Sequence, residues 1–188
     1  MLYFVRVNGN SAHNDPSIPE WYVAGEPSHG KGGYINYCHW CLSNGLVRIG
    51  WPDTGDLRSG NRDGKRANCY TYESIAKHIQ GYLNDFVAMP ISSIVLMPDK
   101  DVPGVLYIGE VMGRYQYHAD PPIAPYECAH RRDVQWDTDA DGKPIVYLAK
   151  NLGITIRGGW WLRAFAKLDH HNELVERVRQ ARERRVKR

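Results

Sequence analysis

Apolar residues along the chain fall mostly into short runs, several of them with polar residues at alternate positions. Such runs, bounded by Gly, Pro, Asn and Asp, are typical of β-strands. Two of them read Leu-Tyr-Phe-Val-Arg-Val and Val-Leu-Tyr-Ile-Gly-Glu-Val, and both are rich in strand-forming residues. The pattern predicts strands over residues 2–7, 46–49, 94–97, 105–111 and 133–136, and short closing segments over 145–148, 154–156 and 160–165.

Apolar residues that recur every three or four positions predict helices in three other places. The clearest is 71–86, with Thr71 as its N-cap. Residues 34–44 predict a short helix that ends at Gly45, and the tail, 170–188, predicts a third. The apolar residues of the tail that can dock are Leu174, Val175 and Val178. The charged residues expected to project beyond them are Arg182, Arg184, Arg185, Lys187 and Arg188.

Many short strands with two inserted helices predict an α+β fold built on a small, bent, partly closed β-barrel flanked by helices. A chain of 188 residues is long enough for one domain with a real core. We therefore expect a single domain over residues 1–168. Residues 169–188 then form an appended basic helix, a possible linker to an effector domain.

Composition and charge are those of an ordinary globular protein, with 43% hydrophobic and 24% charged residues. The net charge of +3 permits nucleic-acid binding without requiring it. No apolar run approaches membrane-spanning length and no signal peptide precedes the first strand, so we expect a cytoplasmic protein with reduced cysteines. Cys38 and Cys41 have the spacing of a zinc half-site, with Cys128 and His130 as an imaginable second half. Because the first pair sits in a helical pattern, we expect core cysteines and no zinc.

The stretch over residues 46–57 carries the most suggestive chemistry. A strand ends abruptly at Gly50 and Pro52, so Trp51 stands where a buried strand becomes a loop, with Asp53 and Asp56 close behind. An aromatic face beside carboxylate acceptors suits a flat polar ligand such as a nucleobase. The alternative is that Trp51 caps the core and the two aspartates make turn hydrogen bonds.

Other candidate binding residues lie in loops and at strand ends. Trp21 either pins a Pro- and Gly-rich loop to the core or lines a site, and Asn8 and Asn10 follow the first strand. Tyr115 and Tyr117 lie on one side of an alternating stretch after the strand at 105–111, and Tyr126 lies in a Pro-rich loop. The basic residues predicted to contact phosphates, unless they are only solvated, are Arg58, Arg62, Lys65, Arg66, Arg131 and Arg132.

No motif of a known catalytic or cofactor-binding class is present. The chain lacks a glycine-rich phosphate loop, a Gly-x-Ser-x-Gly elbow and a His-Glu-x-x-His metal motif. We therefore predict no catalytic residues, no cofactor and no metal in this chain. The alternative from the enzyme class is a metal-dependent hydrolase that uses Asp53, Asp56 and Glu110.

Three blocks of sequence resemble one family. They are Gly-Lys-Gly-Gly-Tyr at 30–34 leading into 46–57, then Tyr-Ile-Gly-Glu-Val-Met-Gly-Arg-Tyr-Gln-Tyr at 107–117, then His-Arg-Arg-Asp-Val-Gln-Trp at 130–136. In this order they resemble the EVE- and YTH-like modules of the PUA superfamily, in particular the N-terminal module of Mrr-type restriction proteins. The resemblance spans most of residues 1–165.

The resemblance implies a bent barrel that recognises a modified base flipped into an aromatic cage. Trp51 matches the cage tryptophan, residues 8–10 match a segment that contacts the base edge, and Tyr117 and Tyr126 stand where YTH domains place further tryptophans. Together with Asp53 and Asp56 as acceptors for a cytosine amino or hydroxymethyl group, this favours 5-methyl- or 5-hydroxymethylcytosine.

The expected partner is double-stranded DNA with a modified base. A fused or associated nuclease, such as an HNH domain, would act on it, and no membrane is involved. The chain would then be the specificity module of a modification-dependent restriction endonuclease. The alternative is a YTH-like reader of N6-methyladenine in RNA or DNA.

Overall fold

The computed structural model describes residues 1–7, 37–51, 54–58, 72–99, 101–118, 129–156, 159 and 163–186. In these residues the strands are β1 Leu2–Val5, β2 Leu46–Ile49, β3 Ile94–Pro98, β4 Val105–Val111, β5 Gln116–Tyr117, β6 His130–Trp136, β7 Tyr147–Leu148 and β8 Phe165–Lys167. The α-helices are α1 Tyr37–Ser43, α2 Lys77–Ala88 and α3 Asn172–Val186, and short 3-10 helices cover Tyr72–Ser74 and Ala149–Leu152.

The strands form one mixed sheet in the order β2-β6-β4-β3-β1-β8, with β5 paired to β6 and β7 paired to β4. Strands β1 and β3 are parallel, and the other pairs are antiparallel. The sheet curls into a half-barrel, which brings β1 against β2 although three strands separate them in the sheet order. The α+β class and the bent sheet predicted from the sequence are therefore confirmed.

Each face of the sheet carries its own hydrophobic core, because successive side chains of a strand point to opposite faces. In β1, Tyr3 and Val5 belong to the first core, and Leu2 and Phe4 belong to the second core. Helices α1 and α2 pack on the first core, and α3 packs on the second. Burial on both faces explains why β1 reads as a continuous apolar run.

The predicted strands are partly confirmed. Strand β4 has its predicted bounds, whereas β6 begins at His130, three residues earlier than expected. The early start was missed because it consists of His130, Arg131 and Arg132, which are polar and yet buried between β2 and β5. The short closing segment predicted over 154–156 is not a strand, and it follows a 3-10 helix that ends at Gly153 with φ +69°.

The predicted helix over 71–86 begins later than expected. A 3-10 turn at Tyr72–Ser74 precedes it, and α2 starts at Lys77 without a side-chain N-cap. The side-chain amide of Gln80 donates to the carbonyl oxygens of Tyr72 and Ile75 and so stabilises the bend. The expected N-cap, Thr71, lies outside the described residues.

Helix α3 is part of the packed structure. Leu174 and Val178 are buried in the second core as predicted, whereas Val175 is 37% exposed. The projecting end predicted for Arg182 is wrong, because its guanidinium donates to both carboxylate oxygens of Asp137 at 2.8–3.1 Å and lies 3.9 Å from Glu110. None of the helices in the described part of the chain is long and apolar enough to cross a bilayer.

Cys38 and Cys41 are buried side chains of α1 in the first core. Burial raises the pKa of the Cys38 thiol, which disfavours the thiolate that a metal would require. The described residues contain no group of three His, Cys, Asp or Glu side chains placed to hold a metal ion. That these cysteines bind no zinc stays a prediction.

The docking of α3 predicts unequal effects of two neighbouring truncations. Leu174→Ala should lower the free energy of unfolding by about 2–5 kcal/mol, because it removes buried methyl groups. Val175→Ala, the matched control, should change it by less than about 0.5 kcal/mol. Urea denaturation measures both. Equal small effects would show that α3 does not contribute to the core.

Candidate functional site

The residues predicted to form a binding site are only partly within the described structure. Trp51, Asp56, Tyr115 and Tyr117 of the predicted base pocket are described. The predicted site residues that lie outside the described residues are Asn8, Asn10, Trp21, Asp53, Tyr126, Arg62, Lys65 and Arg66. The described part of the site is the end of β2 together with the elements packed against it.

Trp51 follows β2 and has an unusual backbone conformation. Its φ of +65° lies in the left-handed region, which costs a residue with a Cβ atom roughly 1–2 kcal/mol. Its side chain is half-buried and packs against the first core. A bulky residue keeps such a conformation only where the surrounding structure holds it.

The residue that holds Trp51 in this conformation is His130, which is fully buried and is the first residue of β6. Its Nε2 lies 2.8 Å from the carbonyl oxygen of Trp51 and 3.0 Å from the hydroxyl of Thr54. The Thr54 hydroxyl and backbone N–H also donate to the Trp51 carbonyl, at 2.9 and 3.2 Å. Because a carbonyl can only accept, the imidazole proton lies on Nε2.

The other imidazole nitrogen receives a hydrogen bond. Nδ1 of His130 lies 2.6 Å from the Tyr115 hydroxyl, which donates to it, and the Leu57 N–H approaches the same hydroxyl at 3.5 Å. Burial lowers the pKa of His130 to about 4 and raises the pKa of Tyr115. Both groups are therefore neutral at physiological pH, and the direction of each hydrogen bond is fixed.

Aromatic rings surround the same imidazole. The Tyr115 ring is stacked on it with 5.9 Å between centroids, and the Tyr117 ring lies at 5.1 Å. His130 pairs with Ile49 of β2 on one side and with Tyr117 of β5 on the other. The fold thus brings Trp51 and Tyr117, both half-buried, to the same end of the sheet on either side of β6.

Asp56 is occupied by an ion pair. The Arg58 guanidinium donates to both of its carboxylate oxygens at 2.6 and 3.0 Å, and the Arg58 N–H donates at 3.0 Å. These hydrogen bonds lower the pKa of Asp56. Arg58 also donates to the Tyr115 carbonyl at 3.3 Å and lies 5.5 Å from the Tyr115 ring. Asp56 therefore holds a half-exposed arginine against Tyr115.

Arg132 is not available to a phosphate, and that prediction is wrong. Its side chain is 2% exposed, and its guanidinium donates to the carbonyl oxygens of Phe86, Val87 and Gly113 at 3.0–3.2 Å. These bonds satisfy carbonyls at the C-terminal end of α2, which have no partners within the helix. Arg131 is also buried and offers little surface to a phosphate.

The carboxylates considered for metal-dependent hydrolysis do not converge where they are described. Asp56 is bound by Arg58 beside the first core, and Glu110 faces Arg182 of α3 beside the second core. Asp53 lies outside the described residues.

Sequence reasoning missed His130 and Thr54 as site residues. His130 was considered only as part of an imaginable zinc half-site, which was rejected, and as the start of a sequence motif, and Thr54 carried no signal. The sequence offered one clue to His130, which is that it directly precedes two arginines in a strand-like segment. A histidine that is buried in such a strand needs a hydrogen-bond partner.

The neutral His130 predicts a specific pH dependence of stability. Its pKa of about 4 in the folded state lies below the unfolded value of about 6.5, so unfolding binds a proton between these pH values and stability falls as the pH falls through this window. Protonation of His130 should account for about 2 kcal/mol of the decrease in the free energy of unfolding between pH 7 and pH 5. His130→Gln, whose amide can still donate to Trp51 but does not titrate, should lack this component in urea denaturation. An identical loss in both proteins would contradict the assignment.

Comparison with known proteins places the chain in a family defined by sequence. No curated protein is similar enough to count as a match. A family model described as a domain of unknown function, DUF8426, matches residues 28–157, which include α1, β2 to β7 and the residues around His130. The chain belongs to the DUF8426 family.

Proposed function

We propose that this chain is a non-catalytic reader of a modified base in DNA, with 5-methyl- or 5-hydroxymethylcytosine as its ligand. The observation that carries the proposal is the conformation of Trp51 and its partial exposure. Trp51 is a half-buried aromatic residue held in a strained left-handed conformation by the buried, neutral His130. Tyr117 supplies a second aromatic ring at the same end of the sheet.

A tryptophan that serves only the core has a different environment in this protein. Trp136 is buried, and its Nε1–H donates to the Cys41 carbonyl at 3.2 Å. Trp51 keeps part of its surface accessible and has an unfavourable backbone conformation. Strained, partly exposed aromatic residues of this kind are characteristic of ligand sites.

The energetics of base reading are consistent with these groups. A base that leaves the duplex loses a few kcal/mol of stacking and pairing. Stacking against an aromatic side chain returns roughly 1–3 kcal/mol. Arg58, held by Asp56 beside Tyr115, can add a phosphate contact that contributes affinity without sequence information.

The choice of a 5-modified cytosine rests on polar chemistry and on resemblance. Tyr117 offers a hydroxyl group where a purely hydrophobic methyl cage would have tryptophan, and the curled sheet is compatible with the EVE-like modules that the sequence resembles. A PUA-like identity is part of this proposal. The effector would be a nuclease joined beyond α3 or bound to the chain.

Binding to a matched panel tests the proposal. Duplexes that differ only in cytosine, 5-methylcytosine, 5-hydroxymethylcytosine or N6-methyladenine, with single-stranded RNA alongside, should show a preference for a 5-modified cytosine. A preference for N6-methyladenine would instead support the YTH-like alternative. Equal affinity for all the duplexes would contradict base reading altogether.

Trp51→Ala should remove the discrimination between bases. We expect the ratio of affinities for modified over unmodified duplex to fall about ten- to a hundredfold, because stacking worth roughly 1–3 kcal/mol is lost. Non-specific binding through phosphates should persist.

Trp40→Ala is the matched control for this change. Trp40 lies on α1 and is also half-buried against the first core, so its loss should lower the melting temperature but leave the affinity ratio unchanged. If Trp51→Ala behaves like Trp40→Ala, Trp51 belongs to the core alone.

A further inference from the structure

Two large apolar side chains are exposed together at one tip of the sheet. Ile91, in the turn between α2 and β3, is 50% exposed, and Met112, directly after β4, is 51% exposed. A hydrogen bond from the Ser92 N–H to the Val111 carbonyl, at 2.8 Å, joins the residues next to them. Of the large apolar residues in the described structure, four are at least half exposed, and two of the four form this tip.

The tip is rigidly built. Ser92 has a φ of +64°, which is unusual for a residue other than glycine, and its neighbour Ser93 accepts a hydrogen bond from Val111 N–H at 2.9 Å. The tip continues directly into the β3–β4 pair of the sheet. A rigid apolar projection loses little conformational entropy when it is inserted into a partner.

A basic cavity of about 380 Å³ lies beside the tip. Its lining includes the apolar residues Ile91 and Met89, and also Arg58, Arg114 and Tyr115. No carboxylate is among its described lining residues, although Asp56 pairs with the lining residue Arg58. Arg132, which also lines the cavity, covers the carbonyls at the C-terminal end of α2 that would otherwise repel an anion.

The cavity adjoins the candidate base site through a shared residue. Tyr115 lines the cavity, and its hydroxyl donates to the imidazole that holds Trp51. Arg58 likewise belongs to both, since it contacts the Tyr115 carbonyl and lines the cavity. A DNA strand that delivers a base to Trp51 would therefore run past the arginines and the apolar tip.

We propose that Ile91 and Met112 form a wedge that enters the DNA base stack where the read base has left it, while Arg58 and Arg114 bind the adjacent phosphates. This inference rests on the proposed function. A flipped base leaves an unstacked gap. Proteins that kink DNA insert apolar side chains, Ile and Met among them, between unstacked base steps. Arg114 is exposed at the cavity, and Arg58 remains half-exposed although it is paired with Asp56, so both guanidinium groups suit the phosphates on either side of the gap.

Ile91→Ser tests the wedge, because a wedge increases affinity only for a duplex, in which a gap forms. The probes are one oligonucleotide with 5-hydroxymethylcytosine, used as a matched duplex and as a single strand, and the same pair with 5-methylcytosine. Affinity for the duplex should fall about tenfold, since filling the gap offsets part of the unstacking cost. Affinity for the single strand, where no gap forms, should change less than about twofold.

Val102→Ser is the matched control. Val102 is also 50% exposed, but it lies in the turn at the far end of the same β3–β4 pair. It should alter neither affinity. Met112→Ser should reproduce the duplex-specific loss, and the melting temperature of each variant verifies that it is folded.

Arg114→Gln addresses the phosphate half of the interface. It should weaken duplex and single strand by similar factors and flatten the dependence of log affinity on log salt by about one unit. Arg184→Gln removes the same charge from an exposed position on α3. It should change neither the affinity for the two forms of DNA nor the salt dependence.

The outcomes separate this inference from the function on which it rests. If the wild-type protein prefers no modified base, either in the duplex or in the single strand, the proposed function and the wedge are both overturned. A wild-type protein that has the preference, combined with equal losses or no loss for Ile91→Ser on duplex and single strand, would overturn the wedge alone.

Discussion

The neutral imidazole of His130 is the interaction on which the candidate site depends. It is fully buried, donates from Nε2 to the Trp51 carbonyl and accepts at Nδ1 from the Tyr115 hydroxyl. Each partner lies on a different segment, so one side chain fixes the exit of β2 against the approach to β5. A charged imidazole would bury a positive charge without a counter-ion among its described contacts, which explains the lowered pKa of His130.

Strand β6 extends this role to the whole half-barrel. Its alternate residues His130, Arg132 and Trp136 bind, in turn, the loop after β2, the C-terminal end of α2 and the Cys41 carbonyl in α1. Three polar side chains on one strand therefore position three separate elements around the first core.

Aromatic packing connects this strand to the opposite side of the first core. Phe86 of α2 contacts Tyr115 and Phe165 edge-on, with ring centroids 6.4 and 6.2 Å apart, and Phe165 contacts Tyr3 at 5.6 Å. The chain of rings runs from β1 and β8 through α2 to the imidazole of His130. The position of the site is thus set by the core as a whole.

Apolar spacing and turn residues predicted the elements whose position depends on their own sequence. Strand β4, the end of β2 at Trp51 and the docking of Leu174 and Val178 follow from apolar spacing and turn residues. Long-range contacts decided the rest. Arg132 reads as a surface cation until Phe86 and Gly113, far away in sequence, supply carbonyls to its guanidinium, and Arg182 reads as a projecting charge until Asp137 binds it. His130 was overlooked as a site residue for the same reason.

The most direct test of this account is the protonation state of the His130 ring, measured by NMR on protein with ¹⁵N-labelled histidine and assigned by the signal missing from His130→Gln. The account predicts a neutral ring at pH 6, with the proton on Nε2 and with Nδ1 as an acceptor. A neutral ring with its proton on Nδ1 would contradict the account, because Nε2 could not then donate to the Trp51 carbonyl. An imidazolium at pH 6 would also contradict it, because Nδ1 would then donate to the Tyr115 hydroxyl instead of accepting from it.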